Sequence, residues 1–387
     1  MIKYFKFFIP AITVVLAMYI CTIGNYYSML FFISFTLFII LGDIFLTEDV
    51  EFKKYTYPGV LKISLYICLP ILFIFISIVV FAFSNYSYPW FLDIFNNYLF
   101  IDLLQFKNSI TLIDKISLIA LTGFFIAIMA IGPGHELTHN KKNKFDMLIG
   151  NWLLAFSCNC AFAIEHVYGH HKNIGLPHDA VTAKRGDNIY TFILQAIIKE
   201  QTNAWKIELN QLKRRGFNPL GFKNKVIAGY LRSLTIVISI YMLGGLTSLF
   251  VYLLCILIGQ SLLEVANYSQ HYGLVREPGK PILAKHSWNS NDVMSGIFTF
   301  NVTKQSAHHE KPDAKFWELE SYPDAPMIPY GYITMIYLSL FTPSLYHKIM
   351  AKKLIDWDTN YANSQEKKIA MIQNRNSGIP ILINSNN

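Results

Sequence analysis

Short clusters of histidine are the feature of this sequence most suited to chemistry. The first cluster is HELTH, in which Glu136 lies between His135 and His139. On a helix, two imidazoles four positions apart share one face and can bind one metal ion, while the glutamate could polarise a bound water. Because this is the pattern of zinc metalloproteases, peptide hydrolysis is the first hypothesis that the sequence raises.

Three further clusters argue against a single zinc ion. They contain Glu165, His166, His170 and His171 in EHVYGHH, His271 in NYSQHYG, and His308 and His309 in QSAHHE. A catalytic zinc needs three protein ligands and an open position, and this chain offers more than twice that number. With α-helical spacing, His166 and His170 would present two nitrogens to one ion, and His171 would point toward a second ion. We therefore predict a dinuclear centre, although imidazole suits iron, zinc and copper alike.

The elements that must position these clusters are membrane helices. Of 387 residues, 53% are hydrophobic and 15% are charged, a composition too apolar for a soluble enzyme of this size. Apolar blocks near 7–24, 26–46, 60–83 and 113–132 each match the roughly 20 residues that cross a bilayer. A longer block is interrupted at Gly244 and Gly245, so we expect two spans there, near 226–243 and 246–266. The sequence predicts an all-α integral membrane protein with about six transmembrane helices.

Basic residues near the span ends set the expected orientation. Lys53, Lys54, KKNK from Lys141 and KRR from Lys213 fall on one side, together with all four histidine clusters. Positive charge favours the cytoplasmic side, so we expect an inner-membrane protein whose helical cytoplasmic cap carries the metal site. The net charge of +8 fits contact with anionic lipid, and no nucleic-acid motif competes for that explanation.

The surroundings of the histidines favour oxidation over hydrolysis. All-nitrogen ligation beside lipid, without a nucleophile constellation of Ser, Cys or Lys, suits oxygen activation on an inert C–H bond. The five cysteines lie mostly in apolar runs and include no C-x-x-C pair, so they indicate core packing. No flavin or nicotinamide motif is present, so electrons must come from an outside donor.

Longer motifs around the clusters carry a family resemblance. HELTHN, EHVYGHH, NYSQHYGL, HSWNSN at 286–291 and SYPDAPMIPYGY at 321–332 occur in one order. The sequence thereby resembles the alkane 1-monooxygenases, integral-membrane non-haem di-iron hydroxylases related to membrane fatty acid desaturases and xylene monooxygenase. The resemblance implies two iron ions held by the eight clustered histidines, and O2 as co-substrate for hydroxylation of a terminal methyl group of an n-alkane or similar chain. It also implies a rubredoxin or ferredoxin-type donor served by an NADH-dependent reductase.

The last cluster departs from the family pattern. Where the family has L-Q-R-H-x-x-H-H, this chain reads VTKQSAHH, so Gln305 stands where a further histidine ligand is expected. Gln270 likewise replaces a glutamate. A glutamine oxygen can ligate iron, although more weakly than imidazole does. An active hydroxylase, a related oxidase or desaturase acting on a fatty acyl chain, and a catalytically impaired homologue all remain open.

Other polar residues have expected roles around the site. Glu136 and Glu165 would either hydrogen-bond the ligand histidines and take part in catalysis or lie on a helix surface, and further partners would be Asn267, His286, Asn289 and Asp187. Exposed cations would receive an acidic electron carrier or lipid headgroups: Lys141, Lys142, Lys144, Lys184 and Arg185. Within the mixed segment 182–222, the stretch IIKEQTNAWKIELNQLKRR at 197–215 would form an amphipathic surface helix. One domain would cover 1–362, followed by a polar, disordered tail at 363–387.

Overall fold

The described part of the chain is helical. The computed structural model describes residues 2–385 and the side chains of 3–385, and in this range extended pairing is limited to a bridge between Asn289 and Met327. The all-α prediction is confirmed. The chain forms two compact units: the first comprises Met1–Ile39, Thr56–Cys160 and Ile227–Gln260, and the second comprises Ile40–Tyr55, Ala161–Val226 and Ser261–Asn387.

Apolar helices build the first unit. Its helices are Ile2–Phe5, Lys6–Phe8, Ile9–Cys21, Pro58–Tyr66, Cys68–Phe83, Pro89–Leu99, Leu103–Ser109, Leu112–Phe125, Ile126–Ile131, Gly132–His139 and Lys144–Phe156, while Tyr27–Phe45 and Lys225–His271 contribute to both units. Among the described residues, five continuous helical stretches are long and apolar enough to cross a membrane: Lys3–Cys21, Tyr27–Phe45, Pro58–Phe83, Leu112–His139 and Lys225–His271. This pattern defines an integral membrane protein.

The fifth stretch is a hairpin of two helices. Gly245 adopts φ 75° and ψ −169°, a backbone region essentially confined to glycine. In the arm before this break, Gly229 packs so closely against Cys160 that a Cβ atom at this position would clash with it. In the arm after the break, Gln260 Nε2 donates to the Ser157 carbonyl at 2.7 Å. Because both arms reach the same 157–160 turn, the chain reverses at Gly245. The 47 residues therefore contain the two segments predicted near 226–243 and 246–266.

Shorter helices and one long helix build the second unit. They are Phe162–Glu165, His166–His170, His171–Asn173, Ile189–Arg214, Ala284–His286, Val293–Phe298, Gln305–Glu310, Tyr332–Phe341, Pro343–Asn360, Ser364–Asn376 and Pro380–Asn384. The Asn188 side chain caps Ile189–Arg214 by accepting from the N–H groups of Tyr190 and Thr191. This helix buries Glu200 and Glu208 on the same face as its apolar residues, so one face packs into the interior of its unit.

The predicted disorder of the tail is wrong for residues 363–385, and residues 386–387 lie outside the described part of the chain. Residues 364–376 form a helix whose N-terminus is closed by a capping box between Asn363 and Glu366. The polar side chains make tertiary contacts: Glu366 Oε1 pairs with His286 Nε2 at 2.9 Å, and Arg185 Nη1 donates to Asn374 Oδ1 at 2.6 Å. The polar side chains of this segment therefore form buried hydrogen bonds instead of marking disorder. The second unit continues through the segment and does not end at 362.

Candidate metal centre

A π-helical turn sets the geometry of the second histidine cluster. Residues His166–His170 are π-helical, and His166 Nε2 lies 3.0 Å from His171 Nε2. In a π-helix the hydrogen bonds join residues five apart, so positions i and i+5 come together. The predicted pairing of His166 with His170 at α-helical spacing is therefore wrong: His166 shares its group with His171.

Six histidines of the second unit form two groups of three. Ligand nitrogens lie within 4.8 Å of one another in the group His166, His171 and His308, and likewise in the group His170, His271 and His309. His170 and His171 are neighbours in the sequence but belong to different groups, and the same is true of His308 and His309. The groups are consequently adjacent, with ring centroids 5.2 Å apart between His171 and His309. This arrangement suits two neighbouring ions.

Hydrogen bonds orient the rings of the second group. Asp179 Oδ2 lies 3.0 Å from His170 Nδ1, and Ser287 Oγ lies 2.7 Å from His309 Nδ1. His170 Nε2 is buried without a hydrogen-bond partner among the described residues. A carboxylate on one imidazole nitrogen with the other nitrogen unused is the pattern of a metal-binding histidine.

Burial keeps the rings of His308 and His309 neutral. Burial and the neighbouring His170 lower the pKa of His308 to about 3, and burial with four nearby imidazoles lowers the pKa of His309 well below its usual value. Burial alone would also lower the pKa of His170, but Asp179 raises it above the ordinary range. Neutral imidazoles offer the lone pairs that metal ions need.

Gln305 lies with the second group. Its Nε2 is 3.2 Å from His309 Nε2, one helical turn away on Gln305–Glu310. Its Oε1 is buried and has no hydrogen-bond partner in the part of the chain that the structure describes. The Gln305 amide oxygen, which could replace a ligand nitrogen, therefore has no hydrogen-bond partner, and its amide group lies next to His309.

The HELTH motif lies in the first unit. It forms the helix Gly132–His139 directly after a π-helical segment, Ile126–Ile131, and the Nε2 atoms of His135 and His139 are 3.1 Å apart. The predicted approach of two imidazoles four positions apart is present here. That His135 and His139 bind the same ions as the histidines of the second unit stays a prediction from the sequence.

The glutamates next to the predicted ligand histidines are buried. Glu136 and Glu165 are 4% and 1% exposed, which rules out a role on an exposed helix surface. Glu165 Oε1 accepts from Asn203 at 3.4 Å. Burial and the nearby Asp179 raise the pKa of Glu165 to about 7, although His170 and the Asn203 hydrogen bond act to lower it, so this side chain can hold or release a proton near neutral pH.

Three further buried carboxyl groups escaped the sequence reasoning. Asp179 orients His170, and Glu200 lies near Glu264 and Glu165, which together with burial raise its pKa well above the usual value. Asn267 Nδ2 donates to Glu264 Oε2 at 3.2 Å, as expected of a residue around the site. Two signals were available: Glu200 falls on the apolar face of a helix, and Glu264 is a charged residue inside an apolar span.

Two residues that the sequence analysis expected at the site or on its docking surface make their contacts elsewhere. Arg185 is only 3% exposed because its guanidinium pairs with Asp358 and donates to the Gly273 carbonyl, so it offers no docking surface. The imidazole of His286 bonds to Glu366 instead of a metal-site carboxylate. By contrast, Lys141, Lys142, Lys144 and Lys184 are exposed.

An apolar cavity of about 390 Å³ lies within the first unit. Its walls come from Cys68–Phe83, Lys144–Phe156 and the first arm of the hairpin, and they include Phe73, Val80, Phe156 and Ile236. The hydroxyls in the wall are occupied, since Ser77 and Ser239 donate to helix carbonyls. The wall of the cavity is therefore mainly apolar.

Fold and site together define a helical membrane protein with a buried polyhistidine centre of the kind that binds metal ions. A family model described as fatty acid desaturase matches residues 116–339, a range that includes all eight clustered histidines and Gln305. The chain belongs to the fatty acid desaturase family.

Individual relatives are monooxygenases by name. The chain is 33% identical over 237 residues to alkane 1-monooxygenase 1 of Pseudomonas aeruginosa, covering 60% of this chain and 62% of that protein. It is 30% identical over 274 residues to the alkane 1-monooxygenase of Acinetobacter baylyi, covering 69% and 66%. It is 32% identical over 247 residues to the xylene/toluene monooxygenase hydroxylase component of Pseudomonas putida, covering 64% and 66%. The matched region thus spans somewhat less than two thirds of each relative's length.

Proposed function

We propose that this protein hydroxylates the terminal methyl group of an n-alkane or a similar long apolar chain, using O2 at a di-iron centre. The reaction would convert RH, O2, two electrons and two protons into ROH and water. The observation that carries the proposal is the pair of adjacent three-histidine groups in the second unit. A hydrolase would need neither two groups nor an all-nitrogen ligand set, and the family gives the protease hypothesis no support.

The chain's own residues would hold and orient the ions. His166, His171 and His308 would hold one ion, and His170, His271, His309 and Gln305 Oε1 the other. The sequence motif adds His135 and His139 to the proposed ligands. Iron, when bound, would supply the one-electron and O2 chemistry that protein side chains lack.

Carboxyl groups would handle charge and protons around the centre. Asp179 fixes the His170 ring so that Nε2 is the ligating atom. Glu165, with its pKa near neutrality, is placed to store a proton consumed in forming water. Glu136 is buried beside its ligand histidines and is proposed for the same class of role.

The apolar cavity supports an apolar substrate. Its volume of about 390 Å³ falls in the range of small-molecule sites, and its wall consists mainly of apolar side chains. A fatty acyl chain would fill the same cavity, so an oxidase or desaturase of fatty acyl chains is the second candidate.

Electrons would come from a separate carrier. No flavin or nicotinamide motif occurs in the chain, so we propose a rubredoxin or ferredoxin-type donor with its NADH-dependent reductase. The exposed Lys141, Lys142, Lys144 and Lys184 would attract an acidic carrier, and Arg185 is removed from that set because it is buried. Positive charge at the span ends supports an inner membrane location with this surface in the cytoplasm.

Metal content and product identity test the proposal together. Purified protein should contain about two irons per chain and, with a reconstituted rubredoxin and reductase, should release a primary alcohol from an alkane. Gln305→His should then separate the alternatives. Higher activity in the variant would mark Gln305 as the cause of an impaired centre, and lower activity would show that the amide has a function. Bound iron with only an alkene product would support the desaturase, whereas one zinc per chain would refute both.

A further inference from the structure

A basic and apolar loop precedes one membrane span. Residues 213–225 join Ile189–Arg214 to the helix that starts at Lys225. The loop has five exposed cations and no acidic residue: Lys213, Arg214, Arg215, Lys223 and Lys225. Phe217, Leu220 and Phe222 are also exposed, and Phe222 is fully accessible. The proposed oxygenase chemistry gives this combination no role.

The loop has a defined conformation. Asn224 is buried, and its Nδ2 donates to the Pro219 carbonyl at 2.7 Å. The Lys225 N–H donates to Glu208 Oε1 at 2.9 Å, which anchors the end of the loop to the long helix. The exposed aromatic and basic side chains are therefore presented by a backbone that is tied at its base.

A small recess lies inside the loop. It has a volume of about 220 Å³ and is lined by Arg215, Phe217, Lys223, Lys225 and Glu208, among others. Three cations and one carboxylate leave a net charge of about +2. Lys223 Nζ is 3.5 Å from the centre of the Phe217 ring, so this ammonium is held at the recess wall by a cation–π contact. The recess suits an anion.

We propose that residues 213–225 bind the headgroup of an anionic phospholipid. The phosphate would occupy the recess, while Leu220 and Phe222 would enter the boundary between headgroups and acyl chains. Charge complementarity favours an anion, and the loop ends where an apolar span begins, so it lies at the membrane surface. The interleaved exposed Phe and Leu favour lipid over an acidic protein, because a membrane interface accepts both cations and large apolar groups.

Lipid competition on the full-length protein tests this site. Detergent-solubilised protein would be titrated with equal amounts of phosphatidylglycerol and phosphatidylcholine, and the ratio of the two bound lipids would be read by native mass spectrometry. Each cation near an anionic headgroup contributes about a fivefold preference, so Arg215→Gln/Lys223→Gln should lower the ratio by about 25-fold. Phe222→Ser should weaken binding of both lipids without changing the ratio.

A matched pair of substitutions serves as the control. Lys367→Gln/Lys368→Gln removes the same charge from an exposed helix in the second unit and should leave the ratio unchanged within about twofold. An unchanged ratio in Arg215→Gln/Lys223→Gln, or an equal fall in the control, would overturn the proposal. So would an unchanged ratio accompanied by a raised KM for rubredoxin, since the loop would then be a protein docking surface. Because lipid binding requires no turnover, this result is independent of whether the protein hydroxylates alkanes.

Discussion

Removing the charge of Asp179 should loosen one ion and spare the other. Asp179 is 3% exposed, and its carboxylate lies 3.0 Å from His170 Nδ1 while also accepting from Thr182 Oγ1 at 2.6 Å. Burial alone would raise its pKa, but His170 and the hydrogen bonds keep the pKa below the usual range, so the group is ionised. Asp179→Asn keeps the shape, removes the charge and lets an amide N–H face the ring.

The expected loss follows from the role of this contact. Changing the hydrogen-bond partner of a metal-binding histidine lowers metal affinity by about 10–100-fold, which is about 1.4–2.7 kcal/mol. Asp179 makes its hydrogen bonds to His170 and Thr182, so the ion held by His166, His171 and His308 should stay bound. As the chelator concentration is raised, the iron content of Asp179→Asn should fall from about two to about one per chain. This fall should occur at a chelator concentration about 10–100-fold below that needed for the wild-type protein.

A second buried substitution controls for general destabilisation. Asp114→Asn changes a buried carboxylate that caps a helix of the first unit, and it should lower stability without selective loss of one iron. The reasoning fails if Asp179→Asn retains both irons within about twofold of the wild-type chelator profile. It also fails if both irons leave together, because the two histidine groups would then not be separate sites.

Three further predictions concern the hairpin, the cavity and the C-terminal helix. Gly245→Ala should destabilise the protein by about 1–3 kcal/mol and lower its Tm in detergent, because only glycine readily adopts this backbone conformation. Val80→Phe should fill part of the apolar cavity and reduce turnover of long alkanes more than that of short ones, measured by product analysis across chain lengths. Docking of Ser364–Asn376 should weaken as the pH falls from about 7 to about 5, measured by hydrogen exchange. Burial lowers the pKa of His286 in the docked helix, so His286 binds a proton more readily once the helix has detached. His286 and Lys285 hold the pKa of Glu366 at about 2, so protonation of Glu366 weakens docking further at more acidic pH.

Each of these has an outcome that contradicts it. Gly59→Ala, where an added Cβ meets no other atom, should change the free energy of unfolding by no more than about 0.5 kcal/mol. An equally small change in Gly245→Ala would refute the claim that the chain reversal requires glycine at position 245. A uniform loss of activity on all chain lengths in Val80→Phe would exclude the cavity as the substrate site. Equal protection of 364–376 at both pH values, after correction for intrinsic exchange, would exclude His286 as the group that weakens docking.

The membrane fold and the grouping of histidines into a candidate metal centre were predictable because each depends on local patterns. Apolar blocks of sufficient length predict spans whatever their neighbours are, and the Gly244–Gly245 interruption predicts a reversal because glycine relieves the backbone strain there. Gln305 was also recognisable as a departure, since it occupies a ligand position in a motif. The polar segment after 362 was misread because composition does not reveal that Glu366 and Asn374 find buried partners.

Residue types and their spacing along the chain were enough to predict a helical membrane protein rich in clustered imidazoles. The division of the imidazoles into two groups depends on the folded chain: a π-helical turn pairs His166 with His171, and His170 joins the group of His271 and His309. The folded chain also places Asp179 against His170. Such choices depend on which turns pack together in space, and a one-turn change in helical hydrogen bonding redirects a side chain without any change in the sequence.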